Sequence, residues 1–164
     1  MLVDWGFKSP LPVVGDFPID YFSVQWKGHI IAPATDEYRF DITLNGGVRL
    51  FIGETVVVDT LPQSSYKTVS GTVVLDAGKF YPIKVEYMHS TDEALIVFYW
   101  SSTIFEREIV PRSVLYYTCH IGSDEHLHPS PFSIHVLPGA IDVSSMASGD
   151  GLNSCVATKK CSFE

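Results

Sequence analysis

Asn45-Gly46 and Thr91-Asp92-Glu93 place an amide and two carboxylates between runs of strand character, and Asn45, Gly46, Asp92 and Glu93 together are candidates to line a ligand groove. Turns select the same residue types. The plainer expectation therefore puts Asn45 in a left-handed turn and leaves Asp92 and Glu93 as solvated loop charges. Tyr66 and His89 are the loop residues suited to a sugar platform or a convergent polar contact. His120, His126 and His128 lie near Asp124 and Glu125, a composition that suggests a metal. Two histidines at i and i+2 share a side only in an extended segment, and no third ligand has a matching spacing, so a solvated linker without metal is expected there.

Cys119, Cys155 and Cys161 are the disulfide candidates. One internal bond with a leftover thiol, or bonds to another part of a larger parent, both fit an odd count. The gap Val-Ala-Thr-Lys-Lys between Cys155 and Cys161 suits a bridge across a tight turn and equally an unpaired core cysteine. Glu37, Glu86, Glu106 and Glu108 supply carboxylates, but glycoside hydrolysis needs two of them held about 5–10 Å apart, which their order in the chain does not provide. No Gly-x-Ser-x-Gly elbow and no Cys and His pairing for nucleophilic attack is visible. No catalytic residue is assigned, and the chain is read as a non-enzyme.

Composition narrows the partners. Eleven Lys and Arg stand against nineteen Asp and Glu, a net charge of -8, and no basic cluster exceeds Lys159-Lys160. Nucleic acid, which needs a basic face, is excluded. No run approaches the ~18 apolar residues of a membrane span. Met1 to Phe7 lacks the regions of a signal peptide, so a targeting segment of a secreted parent would lie outside this chain. With 46% hydrophobic and 13% aromatic residues the chain has ample core material. At 164 residues it accommodates one buried domain and a remainder.

The elements that must position the candidate residues are strands. Tyr38, Phe40, Ile42 and Leu44 alternate with polar residues and define a half-buried strand. Asn45-Gly46-Gly47 reads as a hairpin turn into Val48 to Ile52. Further strands are expected over Thr55 to Val58, Val69 to Leu75, Tyr81 to Tyr87 and Ala94 to Trp100. The run Leu95 to Trp100 is apolar on both faces and belongs at a sheet centre under a second layer. Trp26 is expected to fill the space between sheets beside Phe22 and Val24, with Gly28 permitting a sharp exit. Short strands at near ten-residue spacing predict an all-β, two-sheet antiparallel β-sandwich over residues 1–118, followed by a C-terminal extended segment over residues 119–164.

Asp20 to Gly28, Tyr38-Arg39-Phe40, Gly47 to Gly53, Gly78 to Tyr87 and Trp100-Ser101-Ser102 follow the block order of a known family, and from about Val3 to Tyr117 the chain resembles the protective-antigen (PA-fourteen) domain. That resemblance implies a β-sandwich used as a glycan-binding or adhesive module. Members that hold sugar through calcium place two adjacent aspartates after the strand that here ends at Leu44. This chain has Asn45-Gly46 instead, so no cofactor is expected and calcium is disfavoured. The family's usual opening strand, ahead of the region that Trp5-Gly6 resembles, is absent. In the tail, Ser130 to Gly139 resembles the last strand of a filamin-type immunoglobulin-like repeat, and Gly149-Asp150-Gly151-Leu152 resembles the opening of the next.

These resemblances imply an extracellular or cell-surface structural and adhesive module of a larger multidomain protein, touching neighbouring domains, copies of the parent, or glycans. A carbohydrate-binding module that dispenses with the two-aspartate calcium site is the alternative. An unpaired sheet edge recruits strands, and Phe132, Ile134 and Val136 are the candidate donors for strand exchange.

Overall fold

The even positions from Tyr38 to Ile52 keep one phase of burial without interruption, and the backbone follows that phase: residues 36–52 form a single 17-residue strand. A computed structural model describes residues 2–10, 18–121, 124–129 and 133–138, with side chains as far as Tyr117. Its strands are β1 (Leu2–Gly6), β2 (Phe22–Ile31), β3 (Asp36–Ile52), β4 (Thr55–Asp59), β5 (Ser65–Leu75), β6 (Phe80–His89), β7 (Ala94–Ser102), β8 (Phe105–Ile109), β9 (Leu115–Ile121), β10 (Asp124–Pro129) and β11 (Ser133–Pro138), with one 3-10 turn at Arg112–Val114.

The long β3 belongs to both layers. Its first part, Asp36 to Gly46, pairs antiparallel with β5 on one side, and within it Arg39 to Leu44 pair with β7 on the other. Its second part, Gly47 to Ile52, pairs with β6, and within it Arg49 to Ile52 pair with β4. One sheet therefore runs β5-β3-β7 with β1 and β8 sharing the outer edge of β7. The other runs β4-β3-β6-β2, with β9 and β11 dividing the far edge of β2 and β10 paired outside β9.

The predicted hairpin at Asn45-Gly46-Gly47 is thus replaced by a strand crossing between layers. The two glycines are there for close approach. A Cβ on Gly46, whose φ is 144°, would stand 2.2 Å from the Met88 carbonyl oxygen, and one on Gly47 would stand 2.5 Å from that of Gln63. Gly28 is likewise no exit: β2 continues past it, pairing Gly28 with Ile83.

Between the sheets lies one apolar core. Phe22, Val24 and Trp26 of β2 face Tyr38, Phe40, Ile42 and Leu44 of β3 and Ile96, Phe98 and Trp100 of β7 in a single buried cluster. Trp5 of β1 bridges the layers, stacked on Trp26 at 6.1 Å and on Tyr87 at 6.0 Å between ring centroids. The two-sheet antiparallel β-sandwich is as expected, and β7 occupies the central place its apolar run required.

The C-terminal segment differs from a solvated linker. β9 passes through residue 118, the expected boundary, and pairs antiparallel with β10. Alternation of small and branched residues with polar ones supports a strand as readily as a linker, and pairing with an available neighbour decides the outcome. β11 lies antiparallel along β2 of the same chain, with Ile134 opposite Trp26 and Val136 opposite Val24. The edge for which strand exchange was considered is therefore occupied from within the chain. Phe132, the filamin-like opening at 149–152, Cys155 and Cys161 lie outside the described residues.

Candidate functional site

Where β3 crosses between layers, five segments converge at one end of the sandwich: the start of β2, the middle of β3, the start of β5, the end of β6 and the 90–93 loop. Asn45 is fixed from both sides. Its Nδ2 donates to the Glu93 carbonyl oxygen at 2.9 Å, and its own carbonyl oxygen accepts from the Tyr87 hydroxyl at 2.6 Å. Burial pushes the Tyr87 phenol well above its usual range, so at any physiological pH it remains the protonated donor that this contact requires.

Sequence and structure agree on which groups meet here and differ on how. Asn45 and the Asp92-Glu93 loop come together, yet Asn45 is a strand residue without positive φ. Asp92, at φ 74°, takes the left-handed conformation expected of Asn45. The other non-glycine residue with positive φ among those described, Tyr21 at 54°, sits on the same rim, its amide donating to the Ser90 carbonyl oxygen at 2.8 Å. Such conformations cost about 1–3 kcal/mol each and persist where the surroundings impose them, often at functional surfaces. The Ser64 and Ser90 hydroxyls are 2.7 Å apart.

Two tyrosines stand out from this rim. Tyr66 pairs directly opposite Asn45 and is 70% exposed, and Tyr21 is 54% exposed. Tyr66 lies in a strand where a loop was expected, but its exposure keeps it a candidate platform. His89 does not: it is the last residue of β6, 1% exposed, with its ring tilted over Phe22 at 5.1 Å. Its Nδ1 is 3.5 Å from both the Tyr87 hydroxyl and the Asn45 carbonyl oxygen, and its Nε2 lies 3.7 Å from Asp20. The inward phase of β6, which also buries Ile83, Val85 and Tyr87, carries it into the core.

Tyr21, Ser64 and Ser90 escaped the sequence reading. Only Tyr21 offered a signal, a large aromatic just before an alternating strand, and the topology that brings Ser64 to Ser90 has no local signature. Among residues with described side chains, no three His, Cys, Asp or Glu groups converge to hold a metal.

Two further polar arrangements occupy the outer sheet faces. Asp41, only 6% exposed, accepts from Arg39 Nε at 3.0 Å and from the Ser70 hydroxyl, and lies 3.3 Å from Arg107 Nε. Burial works to raise its carboxyl, but Ser70, Arg39 and Arg107 outweigh it and hold the group below the ordinary carboxylate range. The Arg107 guanidinium covers the Tyr99 ring at 3.5 Å. On the other sheet Glu86, 3% exposed, is 2.9 Å from Lys84 Nζ, 3.6 Å from an Arg49 nitrogen and 3.3 Å from Gln25 Nε2. Of the other carboxylates considered for hydrolysis, Glu108 accepts from the Trp100 indole at 3.1 Å. Each of these two is engaged by neighbours on its own sheet.

The geometry defines a two-layer β-sandwich with Tyr21, Asn45, Tyr66 and Asp92 gathered on one rim. The chain belongs to the PA14 domain family, which it matches over residues 16–112. It is 38% identical over 115 residues to the anti-sigma-I factor RsgI3 of Acetivibrio thermocellus, an alignment covering 70% of this chain and 18% of that protein. Among solved structures it is similar to an anti-sigma factor domain-containing protein, with a TM-score of 0.65 and 33% identity over 71% of this chain and 39% of that one. A second such protein, from Clostridium clariflavum, gives a TM-score of 0.61 and 34% identity over 70% of this chain and 38% of that one. The chain thus spans under a fifth of the curated relative and about two fifths of the solved chains.

Proposed function

We propose that this chain is a non-catalytic carbohydrate-binding module of a larger, multidomain surface or secreted protein, recognising glycan on the Tyr21–Asn45–Tyr66–Asp92 rim without a pair of adjacent aspartates holding calcium. One observation carries the reading: the two non-glycine residues of positive φ among those described, the exposed tyrosines, the paired serine hydroxyls and the fixed Asn45 amide all meet at a single end. Aromatic faces bury the apolar side of a sugar ring while hydroxyls, amides and carboxylates meet its polar edges. The relatives named as anti-sigma factors support a regulatory parent, in which occupancy of this rim would be a signal. A filamin-like continuation through the tail belongs to the same reading.

Binding of the protein to a panel of plant, bacterial and host polysaccharides, with chelator and with added calcium, tests the first reading. Binding that survives chelation and weakens roughly two- to tenfold in Tyr66→Ala and Tyr21→Ala is expected. Binding abolished by chelator, or untouched by both substitutions, would overturn it.

A further inference from the structure

β3 buries its even positions from Tyr38 to Leu44, so Arg39 and Asp41 stand on the outer face of the β5-β3-β7 sheet, where Asp41 pairs with Ser70 on one side and Tyr99 on the other. Each oxygen of the buried Asp41 carboxylate holds one arginine by its Nε. Oδ1 accepts from Arg39 at 3.0 Å, and Oδ2 lies 3.3 Å from Arg107. A guanidinium tied through Nε keeps its Nη donors for something else. One Arg39 Nη donates to the Ser70 hydroxyl at 2.9 Å, and the Arg107 guanidinium is seated 3.5 Å from the centre of the Tyr99 ring. The remaining Arg39 Nη and both of Arg107 have no partner among the described residues, on side chains that are 58% and 46% exposed.

Both arginines open onto a groove of about 490 Å³, within the ~300–1,000 Å³ range of small-ligand sites, whose walls include Ser101, Ser102, Thr103 and Ile104 where β7 turns into β8. We propose that this groove binds the carboxylate of an acidic sugar, with Arg39 and Arg107 as the recognising fork. A planar carboxylate accepts parallel N–H bonds from a guanidinium, and a fork already fixed by Asp41 and Tyr99 loses little freedom on binding. The charge balance selects a monoanion. Asp41 offsets one of the two guanidiniums, which leaves too little positive charge for a dianionic phosphate ester, and Glu106 on the same lip lowers it further. The hydroxyls of Ser101, which pairs with Arg39, and of Ser102 and Thr103 suit the hydroxyls of a sugar, while the exposed Ile104 offers an apolar surface to its ring. Asp41 precedes Asn45 by four residues along β3, roughly 13 Å at the rise of a strand, so this groove is separate from the rim and does not depend on it.

Calorimetric titration of the whole chain with a linear tri-uronate, and with the same trimer reduced at its carboxyls to neutral hexose, tests the assignment. The acid should bind one per chain, more weakly as salt rises, and the neutral trimer should not displace it. Arg107→Ala and Arg107→Lys should each weaken binding roughly tenfold or more, because lysine keeps the charge but neither the fork nor the seat on Tyr99. Their near-ultraviolet circular dichroism should match that of the parent chain. Glu106→Gln should tighten binding roughly two- to fivefold, a gain that a disturbed fold cannot produce. Tyr66→Ala should leave it unchanged, which distinguishes this groove from the rim. Equal affinity for the neutral trimer, displacement by inorganic phosphate or by poly-glutamate at matched charge, full affinity in Arg107→Lys, or loss in Tyr66→Ala would each overturn the assignment.

Discussion

Replacing Gly46 by alanine tests the claim that β3 is one strand bent between two layers. At φ 144° the backbone occupies a region that only glycine enters freely, which costs a substituted residue about 1–3 kcal/mol. The added Cβ would also stand 2.2 Å from the Met88 carbonyl oxygen and 2.8 Å from the Tyr87 ring. Met88 is held in the ladder opposite Gly47 and cannot retreat without breaking that pairing, so overpacking adds a further ~1–3 kcal/mol. The sum, about 2–6 kcal/mol, is a large part of the ~5–15 kcal/mol that stabilises a typical domain.

Two control glycines separate the contributions. Gly6, at φ 56° with nothing within 4 Å of a built Cβ, isolates backbone strain, and Gly6→Ala should cost about 1–2 kcal/mol. Gly71 has no positive φ but would place a Cβ 1.9 Å from the Val57 carbonyl oxygen, isolating steric conflict. Urea unfolding followed by fluorescence of the three tryptophans measures all three. Gly46→Ala should show the largest loss, with a fall in melting temperature of roughly 10–20 °C. A loss no greater than that of Gly6→Ala would refute the crossing and restore a turn at this position.

Other outcomes follow from single contacts. Tyr87→Phe leaves the Asn45 carbonyl oxygen without its 2.6 Å donor and should cost about 1–3 kcal/mol in urea unfolding; a neutral result would dissolve the link between core and rim. Trp26→Ala should cost about 3–5 kcal/mol, read the same way, because the indole is fully enclosed between layers. Asp41→Asn should lower stability at pH 7 by about 1 kcal/mol. The native carboxyl titrates below its unfolded value, so its contribution is full above that value and vanishes as pH falls through the native one. The gap between wild type and variant should therefore close below about pH 4, and a gap constant from pH 7 to pH 3 would contradict the lowered value.

The layers of this fold were legible because alternation fixes faces locally. Tyr38, Phe40, Ile42 and Leu44 needed no neighbour to declare which side they bury. The same phase continues through Gly46, Val48, Leu50 and Ile52, so the crossing was also written in the sequence. It was hidden by the glycine pair, whose resemblance to a hairpin turn outweighed the unbroken period. The rim was legible only in part. Asn45 and Asp92-Glu93 stood out by type, but His89 was assigned to a loop because a strand's last residue has no marker of its own. Ser64 and Ser90 meet only through pairings between distant strands. The β9–β10 hairpin was missed because its polar composition matches a linker, and partner availability rather than propensity decides such segments.

Asn45→Asp carries the strongest contrast with the two-aspartate calcium site that the protective-antigen resemblance implies for its calcium-binding members. Asn45 donates through Nδ2 to the Glu93 carbonyl oxygen, so a carboxylate there sets oxygen against oxygen. The lost donor and the repulsion together should cost about 1–3 kcal/mol at pH 7. A protonated carboxyl restores a donor, so the introduced group should titrate above its usual range. The penalty is then present above that raised pKa and relieved as pH falls through it. Urea midpoints at pH 7 and pH 4.5 should differ less from wild type at the lower pH, whereas Asn45→Ala should lose the same amount at both. Calcium should rescue neither variant, since Gly46 supplies no second carboxylate and a hard cation needs several charged oxygens. Selective stabilisation of Asn45→Asp by millimolar calcium would show that one added carboxylate completes a cation site on this rim, and recognition there would have to be rewritten around the metal.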